Sequence, residues 1–115
     1  MSTDVNFDVA QEEREGVPVL AVRGEVDVST APDVRERLLA LAEAGTTLAV
    51  VDLSEVSFVD STALGVLVSG VKRLRNNGGD LRLVVTQPHI AKVFEITGLT
   101  EVFKIFPTAD EAVRA

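Results

Sequence analysis

Apolar and polar residues alternate along Val5-Asn-Phe-Asp-Val9, the period of a strand with one face toward solvent. Gln11 to Gly16 is charged and reads as a turn, after which Val17-Pro-Val-Leu-Ala-Val22 is apolar and rich in β-branched residues. Pro18 has no N–H to give a ladder, so it belongs at the start of that strand or on a free edge. Two strands joined by a short turn open the chain as a β-hairpin.

The period then changes. Thr30-Ala-Pro-Asp33 supplies an N-cap residue, a first-turn proline and an acidic residue placed as a capping-box partner. Val34, Leu38 and Leu41 follow at helical spacing, and Gly45 ends the run. Thr47-Leu-Ala-Val-Val-Asp-Leu53 is almost continuously apolar, as a strand buried on both faces should be, and is taken as the sheet centre. From Ser61 to Arg75, Leu64, Leu67, Val68, Val71 and Leu74 share one helical face. Lys72, Arg73 and Arg75 fill the last turn, where they complement the helix dipole.

Asn77-Gly-Gly-Asp80 reads as a turn and Leu81 to Val85 as a strand. Pro88 opens a third helix carrying Ile90, Val93 and Phe94, with Gly98 at its C-cap position. Val102 to Phe106 reads as a short strand, and Thr108 caps a terminal helix that reaches Arg114. The order β-β-α-β-α-β-α-β-α predicts an α/β fold. Its mixed central β-sheet opens with a β-hairpin and is covered by about four helices, in one domain over residues 1–115. The pattern leaves the order of strands in the sheet open.

Composition narrows the function. The chain has 115 residues, the size of one domain, and no cysteine, which removes disulfides, thiol catalysis and thiolate metal sites. Eleven Lys and Arg against eighteen Asp and Glu give a net charge of −7, which opposes binding to nucleic acid or to an anionic membrane. No apolar stretch approaches the roughly 20 residues of a membrane span. The opening Met1-Ser-Thr-Asp-Val has neither a basic nor a hydrophobic region. A soluble, cytoplasmic and, by default, monomeric protein is expected.

Reactive groups are sparse. His89 is the one histidine, and Tyr and Trp are absent. His89 follows Pro88 in the first turn of a helix and reads as an exposed or lightly packed side chain. Without a second His or a Cys, zinc has no set of ligands. Gly78-Gly79 precedes a strand, so it is turn chemistry and no phosphate loop. The expectation is a protein that is not an enzyme, with no catalytic residues, no cofactor and no metal.

What stands out is Phe58-Val-Asp-Ser-Thr-Ala-Leu-Gly65. After the central strand and a short turn, Asp60 can cap the second helix and leave the Ser61 hydroxyl free. Spacing alone is satisfied by a plain capping cluster of Asp60, Ser61 and Thr62. The run Ala63 to Val68, however, is too apolar for a solvated helix. Part of it is core, with Gly65 permitting close backbone packing, and the remainder reads as an exposed docking surface.

The string Asp60-Ser-Thr-Ala-Leu-Gly65 after a hydrophobic strand resembles the phosphorylation motif of bacterial anti-sigma factor antagonists, the free-standing STAS-domain proteins. Gly24-Glu-Val-Asp27 followed by Thr30-Ala31 is similar to that family's second signature, and the element order matches from about Val5 onward. The resemblance implies a STAS-like fold in which Ser61 is phosphorylated by a partner kinase. Asp60 precedes that serine, and Asp27 is expected close by in space. Thr62, Ala63 and Leu64 fall in the surrounding partner-binding surface. Many members carry Gly where this chain has Ala63, and the extra methyl is expected to alter how closely a partner packs.

The implied partner is an anti-sigma factor that resembles a histidine-kinase-like ATPase and acts as a serine kinase. The unmodified chain would bind it and free the sigma factor. Phosphorylation of Ser61 would end that binding, and a serine phosphatase would restore the hydroxyl. Thr62 and Ser57 are the neighbouring hydroxyls that compete as acceptors. Two other readings are carried forward. One is a STAS scaffold or ligand-binding module without a phosphoswitch. The other is a receiver-like domain using Asp52, near the end of the central apolar strand, as phosphoacceptor. The hairpin start and the position of Lys92 inside a helical pattern weigh against the receiver.

Overall fold

The computed structural model describes residues 7–115, so Val5 and Asn6 of the first predicted strand lie outside the described residues. β1 (Phe7–Arg14) and β2 (Val17–Val26) form the expected hairpin. Its turn is only Glu15-Gly16, both with positive φ (52° and 79°), the backbone that lets a two-residue turn follow the twist of its strands. The charged segment predicted as a turn from Gln11 is therefore strand as far as Arg14. β1 lies at the edge of the sheet and is exposed from Ala10 onward, where charges cost nothing and discourage pairing with other chains. Pro18, the second residue of β2, sits opposite Glu13.

The remaining elements are α1 (Ala31–Glu43), β3 (Leu48–Val59), α2 (Ser61–Asn76), β4 (Asp80–Val84), α3 (Pro88–Ile96), β5 (Lys104–Phe106) and α4 (Ala109–Arg114). A 3-10 turn at Leu99–Glu101 delays the last strand to Lys104. The sheet order is β1-β2-β3-β4-β5, antiparallel between the first two strands and parallel thereafter. β3 is the central strand, as its apolar run predicts.

Every crossover steps the same way across the sheet, and such connections are right-handed, so α1, α2 and α3 must cover one face. Leu20, Val22, Val51, Leu53, Leu81 and Leu83 pack there against Val34 and Leu38 of α1, Leu67, Val71 and Leu74 of α2, and Ile90 and Phe94 of α3. The opposite face is closed by α4, whose Ala109, Ala112 and Val113 cover Val19, Val50 and Val84. The contact between α1 and α2 depends on Gly70, where a Cβ would lie 2.9 Å from Leu38 Cδ1. Gly65, expected to permit close packing, is exposed, and a Cβ there would meet nothing within 4 Å.

β3 runs to Val59 and not to Leu53. Its register against β2 shifts twice: Ala21 and Arg23 face Asp52 and Glu55, and Gly24 and Glu25 face Val56 and Phe58. Each shift inserts one extra residue into β3, so Leu53, Val56 and Val59 all point into the core although they are three apart. The short turn predicted before the second helix does not exist; strand passes directly into Asp60.

Candidate functional site

The extra residues in β3 leave two carbonyls outside the regular ladder, and the start of α3 reaches across to hold both. Gln87 Nε2 donates to the Ser54 carbonyl at 3.0 Å, and His89 Nε2 lies 2.8 Å from the Ser57 carbonyl. A carbonyl oxygen only accepts, so the imidazole carries its proton on Nε2 in this contact. His89 is exposed, as expected, but it braces the strand that delivers the site, a role its sequence position gave no sign of.

At the carboxyl end of the sheet Val26 pairs with Val59. One residue further, the Asp60 N–H donates to the Val26 carbonyl at 3.2 Å. This bond brings the two sequence signatures together, Asp27 on one strand end and Asp60 on the next. Asp60 is extended (φ −112°, ψ −175°), and its Oδ1 accepts from the Ala63 N–H at 2.9 Å, closing the start of α2 as predicted. Ser61 and Thr62 are exposed, and the Ser61 hydroxyl has no hydrogen-bond partner among the described residues.

The loop from Asp27 to Thr30 departs from the predicted capping box. Thr30 occupies the N-cap position of α1, yet its side chain caps nothing, and Asp33 is exposed. Thr30 is buried because its hydroxyl turns back, donating to the Glu25 carbonyl at 2.8 Å and accepting from the Asp27 N–H at 2.9 Å. Asp27 instead ties the loop that precedes α1. Its Oδ1 accepts from the Ser29 hydroxyl at 2.8 Å and from the amides of Ser29 and Thr30 at 2.9 and 3.2 Å. The Ser29 hydroxyl and amide, followed by the Thr30 bonds, hold this carboxyl below its usual range.

Ala63 is 2% exposed and faces inward, where with Val26, Val59 and Leu67 it borders an apolar void of about 10 Å³. Its methyl therefore cannot touch a partner, contrary to the expectation that it alters docking. Leu64 and Val68 are half-buried, and with exposed Gly65 and Ser61 they form the outer side of α2. Val28, next to Asp27, and Phe58, two residues before Asp60, are among the few large apolar side chains left exposed, at 70% and 48%. An exposed hydroxyl at a helix N-terminus thus follows directly on Asp60, whose main chain is bonded to the residue before Asp27. Asp52 is elsewhere: it lies mid-strand, half-buried, accepting from the Ser54 N–H at 2.9 Å. It is not near the strand end, where a receiver phosphoacceptor would have to be. Ser57 is exposed at the second register shift.

A family model described as the STAS domain matches residues 8–112. The chain belongs to the STAS domain family. Among curated STAS relatives, the anti-sigma-B factor antagonist of Bacillus subtilis (strain 168) is 37% identical over 111 residues, covering 96% of this chain and 99% of that protein. Among solved structures, an anti-sigma factor antagonist from Mycobacterium paratuberculosis superposes with a TM-score of 0.86 at 30% identity, covering 98% of this chain and 96% of the other. The Bacillus cell fate determinant SpoIIAA in its phosphorylated form matches with a TM-score of 0.70 at 25% identity, covering 93% and 96%. These place the chain with the anti-sigma factor antagonists of the STAS family. No helix among the described residues is long and apolar enough to cross a membrane.

Proposed function

We propose that this chain is an anti-sigma factor antagonist switched by phosphorylation of Ser61. The unmodified form docks the outer side of α2 on an anti-sigma factor and frees the sigma factor. That partner, an ATPase of histidine-kinase-like fold, transfers the γ-phosphoryl group of ATP to Ser61 Oγ, the hydroxyl giving up its proton and ADP leaving. A serine phosphatase later hydrolyses the ester. The chain is a binding module and a kinase substrate in this cycle, with no turnover of its own. The observation that carries the reading is the exposed Ser61 hydroxyl, unpartnered among the described residues, immediately after the capping Asp60. The names of the relatives, and a phosphorylated form of one structural neighbour, support it.

The energetics fit a switch of binding and not of fold. A phosphoserine adds about −1.5 to −2 charges, and at a helix N-terminus this is favourable by about 0.3–1 kcal/mol. Nothing there threatens a fold whose stability is typically about 5–15 kcal/mol. Against a partner, the same dianion arrives beside Asp27 and Asp60 within an apolar surround, so docking must desolvate it and bear the repulsion. A hundredfold loss of affinity needs only about 2.7 kcal/mol.

Incubation with the cognate anti-sigma kinase and ATP, followed by peptide mapping, tests the assignment. One phosphate on the peptide bearing Ser61, absent from Ser61→Ala, is the expected result. Labelling of Thr62 or Ser57, or none at all, would remove Ser61 from this role; no labelling is what a scaffold without a phosphoswitch predicts.

A further inference from the structure

The opposite end of the sheet holds a second arrangement of charge. An open depression of about 680 Å³ lies where β3, β4 and β5 begin, and Arg75, Asp80, Arg82 and Lys104 line it. Three cations therefore share one concavity in a chain whose net charge is −7. Asp80 answers only one of them: its Oδ1 takes Arg75 Nε at 3.0 Å, and Arg75 is pinned further by donating to the Val102 carbonyl at 2.6 Å.

Arg82 and Lys104 are direct neighbours across β4 and β5, and like charges placed opposite each other on adjacent strands destabilise a sheet. Neither has an ion-pair partner among the described residues. Arg82 spends one N–H on the Ala112 carbonyl at 2.8 Å, while its Nε is buried with no partner among the described residues. A buried donor without an acceptor is costly and rare in folded proteins. The repelling pair of Arg82 and Lys104, with Arg75 on the same concavity, is relieved by an anion with several acceptor oxygens.

We propose that this depression binds a small phosphate-bearing anion through Arg82 and Lys104, with Arg75 as a fixed positive wall. Phosphate fits because guanidinium groups match its oxygens and an ammonium supplies a compact charge beside them. The net negative charge of the chain excludes long polyanions such as nucleic acid. The site lies at the amino ends of the strands and Ser61 beyond a carboxyl end, so the anion binds whether or not Ser61 carries a phosphate. The inference does not depend on the Ser61 switch.

Titration of the isotopically labelled protein with inorganic phosphate, at ionic strength held constant with chloride, tests it by NMR. The amides of Gly79 to Arg82 and of Lys104 should shift saturably, with at least tenfold weaker binding in Lys104→Gln. Lys104 is exposed, so this variant keeps the fold. Thermal melts give an independent readout: phosphate should raise the melting temperature of the parent but not of Lys104→Glu, which in chloride alone should melt above the parent. Shifts that are linear in phosphate, or saturable shifts unchanged in Lys104→Gln, would overturn the site. A phosphoserine peptide binding tenfold more tightly than phosphate or glycerol phosphate would overturn the small-anion assignment.

Discussion

The main-chain N–H of Asp60 donates to the carbonyl of Val26 at 3.2 Å, and through this bond two segments more than thirty residues apart become one site. β2 and β3 end side by side, so Asp27 and the start of α2 are held together by sheet hydrogen bonding, before any side chain contributes. The position of Ser61 is thus a property of the central strands. Its hydroxyl is presented by a rigid element, which suits a group that a partner must find and modify.

Asp60 is the hinge between strand and helix. Replacing it with Ala removes the acceptor for the Ala63 N–H and should destabilise the domain by about 1 kcal/mol, the usual worth of an N-cap. Urea unfolding measures this. Asp60→Asn, which keeps an acceptor oxygen, should recover most of the loss.

Asp27 makes stability depend on acid. Its carboxyl is held below the usual aspartate range, chiefly by the Ser29 hydroxyl and amide. A depressed folded-state value means the contribution is complete above the unfolded value and is lost as pH falls through the lower, folded one. Melting temperatures taken downward from pH 6 should therefore converge for the parent and Asp27→Asn below pH about 3.8. A gap of constant size across that range would contradict the assignment.

Three glycines carry opposite expectations. At Gly65 a Cβ meets open space, so Gly65→Ala should stabilise the domain by about 0.5–1 kcal/mol through helix propensity alone. At Gly70 the same change pushes on Leu38, offsetting that gain. At Gly79 a Cβ would overlap the Thr47 carbonyl, and Gly79→Ala should be the most destabilising of the three. Thermal melts of the set rank them.

His89 should behave as a brace and not as a base. His89→Ala removes the donor to the Ser57 carbonyl and should cost about 0.5–1.5 kcal/mol. Hydrogen exchange should quicken along the last residues of β3 while α1 is unaffected.

Most of the fold was legible because its helices and strands carry clean periods: the caps at Asp60 and Thr108, the stripe of α1 and the apolar centre of β3 all sit where the pattern puts them. The second half of β3 was hidden because two inserted residues turn a period of two into a spacing of three, and Ser54, Glu55 and Ser57 then read as a turn. The charged half of β1 was hidden because an edge strand need not alternate. At the site, the motif around Ser61 was visible, but roles decided by side-chain direction were not. Thr30 turns its hydroxyl back into the loop and leaves α1 without a side-chain cap, Ala63 faces inward, and the packing glycine is Gly70.

The most direct measurement compares the affinity of the cognate anti-sigma factor, by calorimetry, for the unmodified chain and for the same chain phosphorylated on Ser61. A loss of at least about a hundredfold, worth about 2.7 kcal/mol, is predicted, with Ser61→Ala binding like the unmodified form and Ser61→Asp binding poorly. Equal affinities for the two forms would contradict the account.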